Sequence, residues 1–275
     1  MIPAQFISSA IGCVWAMANG EAELFEAQLF SALINPPQNF FGTGIDFKSM
    51  IPRMEVAGND AVIPVRGRIM RNVPDAAAVM LGLHDIKNLE ADLDSALSNR
   101  SVNRIALYID SLGGSAAAGE EGAQMIEDAA KRKPVMAFCD NAMASAAFQI
   151  AAPSHAIYAT PYAPSIGSIG SMAVVMNKSE FYKKVGMQPT VFRSGAFKGQ
   201  GEDGAISEEC AAHIQSLVDG AGERFRAMVK KHRPGIAESD MQGQWFDGRD
   251  AAKRNLVQGT AKNIKNALAS FSALM

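Results

Sequence analysis

The stretch DNAMASAAFQIAA (140–152) sets a single hydroxyl, Ser145, among small and apolar residues. Two readings are open: a serine that packs an alanine-rich core, or a nucleophile whose activating base comes from elsewhere in the chain. The helix-forming run MASAAFQIAA predicts that Ser145 lies near the start of a short helix. There the N–H of Ala146 points the same way as the hydroxyl and favours negative charge beside it.

Two further stretches combine glycine or serine with an upstream apolar run. In YIDSLGGSAAAG (108–119), Gly113 and Gly114 lead straight from a strand pattern into a helical one. Adjacent glycines let the backbone turn sharply and present bare N–H groups. The stretch has neither GxxxxGK[ST] nor GxGxxG, so nothing marks a nucleotide site, and an ordinary strand-to-helix turn accounts for it equally well. In PSIGSIGSM (164–172), Ser165, Ser168 and Ser171 are spaced by three around Gly167 and Gly170. This suits either an edge onto which an extended peptide pairs or a flexible connection.

A base for Ser145 is not obvious among the histidines. His213 falls in a long amphipathic pattern and His232 at its end, His84 sits in a polar stretch, and His155 precedes a strand, so a Ser-His-Asp triad has no evident members. Lysine is the better candidate. VFRSGAFKGQGED (191–203) places Lys198 after a predicted strand and a Ser-Gly turn, flanked by Phe197 and small residues, where desolvation would favour the neutral amine. No SxxK spacing occurs, so the pair must meet across the fold.

The elements that would position these residues follow from periodicity. Apolar runs at 61–70, 104–110, 134–139, 156–159 and 189–193 alternate with helical patterns, which predicts an α/β core with a mainly parallel sheet. Ala118, Gly122, Met125, Ile126 and Ala129 share one helical face. From the N-cap Ser207 onward, Cys210, Ile214, Leu217, Val218, Phe225 and Val229 form another stripe, closed by Lys230, Lys231 and Arg233 before Pro234. That basic cluster reads as a helix end. The tail AKNIKNALASFSALM (261–275) has Ile264, Leu268, Phe271 and Leu274 on one face, an apolar stripe expected to be covered by a partner subunit.

At 275 residues with a net charge of -2, the chain can bury one large core and lacks the basic excess of a nucleic-acid binder. Cys13, Cys139 and Cys210 are odd in number and unpaired in spacing, which signals neither a disulfide framework nor a zinc site. The apolar run 6–18 has no preceding basic residue and is too short to span a bilayer, so a cytoplasmic protein without a membrane step is expected. The expected organisation is an N-terminal appendage (1–57), a catalytic domain (58–260) and a C-terminal amphipathic helix (261–275).

Taken in order, RIALYIDSLGG, DNAMASAAFQIAA, GSIGSM and FRSGAFKGQGEDGAIS resemble the serine peptidases of the signal peptide peptidase A type, and within them the phage capsid assembly (prohead) proteases. The resemblance runs over roughly residues 60–260, including WFDGRDAAKRNLVQG (245–259). It implies Ser145 as nucleophile, Lys198 as general base of a Ser-Lys dyad, and the N–H groups of Gly114 and Ala146 as the oxyanion hole. It also implies a Clp protease/crotonase-like spiral of ββα units, usually assembled into rings or other oligomers.

Leu112 departs from the proline common before the glycine pair, and Ala146 and Ala147 from the glycines common after the serine. Neither the membrane anchor of bacterial members nor the long scaffold extension of some phage members is evident, which favours a phage-type protease acting in the host cytoplasm or procapsid interior.

With Gly113, Ser115 and the Gly167, Ser168, Ile169 and Gly170 run flanking the site, a polypeptide substrate is expected to bind extended, with no metal or other cofactor. Capsid, scaffold or portal proteins are the expected partners, and the chain is expected to be a homo-oligomer. The alternatives are a bacterial signal-peptide-degrading or quality-control peptidase of the same family, an inactive assembly protein, and a crotonase-like acyl-CoA enzyme using the same two N–H groups. The last would need an adenine pocket that no stretch supplies.

Overall fold

The structure, a computed structural model, describes residues 15–17 and 46–275. The strands are β1 (Trp15–Met17), β2 (Glu55–Ala57), β3 (Asp60–Arg66), β4 (Arg68–Met70), β5 (Leu83–Asp85), β6 (Arg104–Ser111), β7 (Gly113–Ser115), β8 (Val135–Ala144), β9 (Ala156–Ala159), β10 (Ser165–Gly167), β11 (Trp245–Phe246) and β12 (Gly259–Thr260). The α-helices are α1 (Phe47–Met50), α2 (Asp75–Leu81), α3 (Ile86–Ser98), α4 (Ala116–Ala130), α5 (Ala146–Ala151), α6 (Ser179–Lys184), α7 (Glu208–His232), α8 (Gly248–Lys253) and α9 (Ile264–Ser272).

The α/β class expected from the sequence holds. The larger sheet runs β11-β10-β8-β6-β3-β2, and the smaller one β1-β7-β4-β5. Within the larger sheet β3, β6, β8 and β10 are parallel. Its longest strand, β8, pairs with β9 along its first half and with β10 along its second. Twice the chain leaves a large-sheet strand, makes a short strand in the small sheet and enters a helix: β3–β4–α2 and β6–β7–α4 are successive ββα units. The crossing from β6 to β7 follows a register shift between Ile109 and Ser111, and it is what carries Gly113 and Gly114 toward α5.

Both faces of β6 and β8 are covered, which explains why their sequences read as unbroken apolar runs. Ile105, Leu107 and Ile109 join Ile63, Val65 and Ile126 in the main core. On the opposite face Ala106, Met136 and Phe138 pack with Ala267 and Phe271 of α9. The tail stripe is thus covered by the chain's own sheet: Ile264 and Leu268 pack on the same cluster, and only Leu274 of the four is left exposed, at 66 %. The expectation that a partner covers this face gives way to an intramolecular one, because the sheet's second face would otherwise stand bare.

Helix α7 starts as expected, with Ser207 Oγ accepting from Cys210 N–H at 3.2 Å. Ion pairs from Arg224 to Glu120 and from Lys231 to Glu127 tie it to α4. No strand forms over 189–193. The run crosses the surface instead, tied by the ion pair of Arg193 with Asp203, and Phe192 is 93 % exposed.

Candidate active site

Ser145 follows the last residue of β8 and is the N-cap of α5, with φ 55° and ψ -122°. A positive φ is rare for a residue bearing a Cβ, and the chain enforces it here by turning from a strand into a helix within one residue. Three contacts fix the turn. The N–H of Ser145 donates to Gly167 O of β10 at 2.7 Å, and its carbonyl accepts from Gln149 N–H at 2.9 Å. Alanines 142, 144, 146 and 147 are all buried around it. The side chain is buried too, at 1 % exposure, and its Oγ has no hydrogen-bond partner among the described residues. An unpaired buried hydroxyl costs about 1–3 kcal/mol, so a serine serving only as packing would be poorly placed here.

The small residues have a geometric reason. A Cβ added to Gly119 of α4 would lie 2.8 Å from Ala146 Cβ, so α4 and α5 approach closely because one of them carries glycine. Ala146 is thereby accommodated against α4. A Cβ on Gly114 would lie 2.0 Å from Ile69 O, which only glycine permits. The Gly113 N–H donates to Ser111 Oγ at 3.1 Å, setting the start of β7. The N–H of Ala146, first residue of α5, has no acceptor within its helix by the geometry of a helix start.

Lys198 is exposed in the stretch 186–206, its N–H donating to Gly195 O at 3.0 Å, and no hydrogen bond joins it to Ser145. Phe197, expected to shield the lysine, lies instead against the ring of His213 at 5.4 Å. The run 164–172 is not an open edge. Ile166 and Gly167 pair with Phe246 and Trp245, Ser168 N–H donates to Gln244 O at 2.7 Å, and Gly243 N–H donates to Ile169 O at 3.1 Å. Beyond Ser168, a cavity of about 290 Å³ opens between this run and α7, lined by Ile169, Gly170, Val218, Arg226 and Met241 among others.

None of the histidines bonds Ser145. His155 Nδ1 accepts from Val135 N–H at 3.1 Å, at the far end of the ten-residue β8, roughly 30 Å along the strand from Ser145. His84 is buried in β5, and desolvation together with the nearby Arg53 charge pushes its pKa down to about 4. His232 lies beside Glu127, and burial lowers it as well.

Sequence reasoning missed Arg233 as a support of the site. Its buried guanidinium donates to Ala152 O at 3.0 Å and to Ser154 O, closing the C-terminal end of the helix that Ser145 begins. Burial lowers its pKa to about 10. The only signal in the sequence was its place at a helix end.

Ser145 thus stands between the C-terminal end of a parallel strand and the start of a helix, its hydroxyl without a partner among the described residues, a placement open to nucleophilic chemistry. Comparison with known proteins agrees in class. Peptidase family S49 matches residues 127–274, just over half of the chain, and the chain belongs to that family.

The head-tail preconnector protein GP5 of Enterobacteria phage P21 is 30% identical over 80% of this chain and 43% of its own length. The capsid assembly protease C of Escherichia phage lambda is 27% identical over 74% of this chain and 46% of its own. Further relatives come from an archaeon and a bacterium, and the chain spans about half the length of the curated relatives it matches. Among solved structures, a ClpP1 mutant from Listeria monocytogenes aligns over 74% of this chain and 93% of its own, with 15% identity and a TM-score of 0.47. No helix among the described residues is long and apolar enough to cross a membrane.

Proposed function

We propose that the protein is a serine endopeptidase of the phage capsid-assembly type, in which Ser145 is the nucleophile and Lys198 the general base. The observation that carries this reading is Ser145 itself, with a strained backbone and a buried hydroxyl unpartnered among the described residues, inside the segment that matches a peptidase family. In the proposed reaction the neutral amine of Lys198 takes the Ser145 proton as Oγ attacks a peptide carbonyl. The N–H groups of Gly114 and Ala146 hold the oxyanion, and losing one such donor typically costs about 100- to 1,000-fold in rate. The lysine then returns its proton to the leaving amine, and water cleaves the acyl-enzyme with the same lysine as base. The chemistry calls on no cofactor.

A lysine works as a base only where water is kept from its amine, and Lys198 is exposed in the single chain. The stretch that carries it, 172–206, also exposes Val175, Met176, Phe181, Val185, Met187 and Phe192. Closing this arm over Ser145, in an oligomer of the chain, would bury those side chains and bring the amine to the hydroxyl together. Substrates in this reading are extended segments of capsid, scaffold or portal proteins, with neither membrane nor nucleic acid involved. The test is hydrolysis of a quenched-peptide library by the wild type, Ser145→Ala and Lys198→Ala. Cleavage lost in both variants supports the dyad, and cleavage retained in Lys198→Ala removes the lysine from it.

A further inference from the structure

β1 pairs antiparallel with β7, with Trp15 opposite Ser115, Ala16 opposite Gly114 and Met17 opposite Gly113. Gly113 and Ser115 are among the residues expected to receive the substrate backbone, and Gly114 is one of the proposed oxyanion donors. On its other side β7 is closed by β4, with Ile69 opposite Gly114. Of the second run expected to receive a peptide, 167–170, residues 167–169 are closed as well by residues 243–246. While β1 is seated, neither edge of β7 is open to a further strand.

The two coverings differ in how they are anchored. Residues 243–246 join two parts of the core, where Ile166, Ile169 and Met241 are fully buried. Among the described residues β1 is three residues long. A ladder that short is marginal by itself and belongs to the parts of a protein that open at low cost. It also has the form an extended polypeptide takes when it adds to a sheet edge, with backbone hydrogen bonds supplying the affinity.

We propose that the segment around Ala16 is an internal, displaceable occupant of the substrate groove, which competes with an extended polypeptide for the edge of β7 and holds the peptidase in a low-activity state. The competitor role rests on the serine-peptidase reading; the strand pairing does not. A groove that is free one-tenth of the time binds substrate about tenfold more weakly than an open one.

The test uses the full-length chain with Ala16→Pro, which removes the backbone N–H at the centre of β1 and is tolerated poorly inside a ladder. Peptide hydrolysis by this variant should show a kcat/KM about tenfold above wild type, carried by KM. A synthetic peptide of residues 11–21 should inhibit the variant competitively, and a scrambled one should not. In parallel, hydrogen exchange over residues 108–119 is compared with and without Ala16→Pro in the Ser145→Ala background, where catalysis plays no part; the variant should exchange faster. Unchanged exchange, or an unchanged kcat/KM with no inhibition by the peptide, overturns the proposal. If neither protein cleaves any peptide while exchange still responds, the pairing stands and the peptidase reading is what fails.

Discussion

Backbone strain and a buried hydroxyl unpaired among the described residues coincide at Ser145. Ser145→Ala should abolish hydrolysis and raise stability by about 1–3 kcal/mol, since alanine keeps the Cβ and removes the buried hydroxyl. Ser145→Gly should be equally inactive yet more stable than Ser145→Ala by about 1 kcal/mol, because glycine adopts a positive φ without steric cost. Urea unfolding of the two variants checks this, and a glycine variant no more stable than the alanine one would remove the strain. For the base, Lys198→Arg should be as inactive as Lys198→Ala, since a guanidinium keeps its proton. His155→Ala should retain activity while losing about 1 kcal/mol of stability, because its imidazole accepts a backbone N–H far from the site.

Among the elements, β5 carries a pH dependence of its own. His84 binds its proton near pH 6.5 when unfolded but only near pH 4 when folded, so the unfolded chain takes up more protons between those values. Its contribution is fully present above pH 6.5 and is lost as pH falls toward 4, by about 3 kcal/mol in all. The fall in unfolding free energy between pH 7 and pH 4 should therefore be smaller by about that amount in His84→Gln, measured from urea midpoints at the two pH values. An identical fall in both proteins would mean the imidazole is not buried in its neutral form.

The longer elements were legible because their periodicity is local: β9 lies at 156–159 as expected, and α7 starts after Ser207. β11 and β12 are two residues each, too short to show a period, and so was the closure of the 166–169 run invisible. Ser145 and Gly167 were both singled out, but the bond between them depends on β10 returning beside β8, which no local pattern states. Arg233 read as a charge at a helix end because the carbonyls it caps have no sequence signature.

In the molecule as a whole, the single chain leaves the proposed nucleophile, buried Ser145, and the proposed base, exposed Lys198, without a hydrogen bond between them. In the proposed reading, burial of the exposed apolar side chains between Val175 and Phe192 on assembly is the step that joins them. Light scattering should show a mass several times that of one chain, and Phe192→Glu should reduce both the assembly and the cleavage rate by at least tenfold. A monomer with full activity would contradict this. The claim on which the rest depends, that Ser145 is a nucleophile, is tested most directly by intact-mass measurement after treatment with a fluorophosphonate. A single adduct per chain on the wild type, absent from Ser145→Ala, is the predicted result; an adduct that survives in Ser145→Ala, or cleaving protein that takes up none, would contradict it.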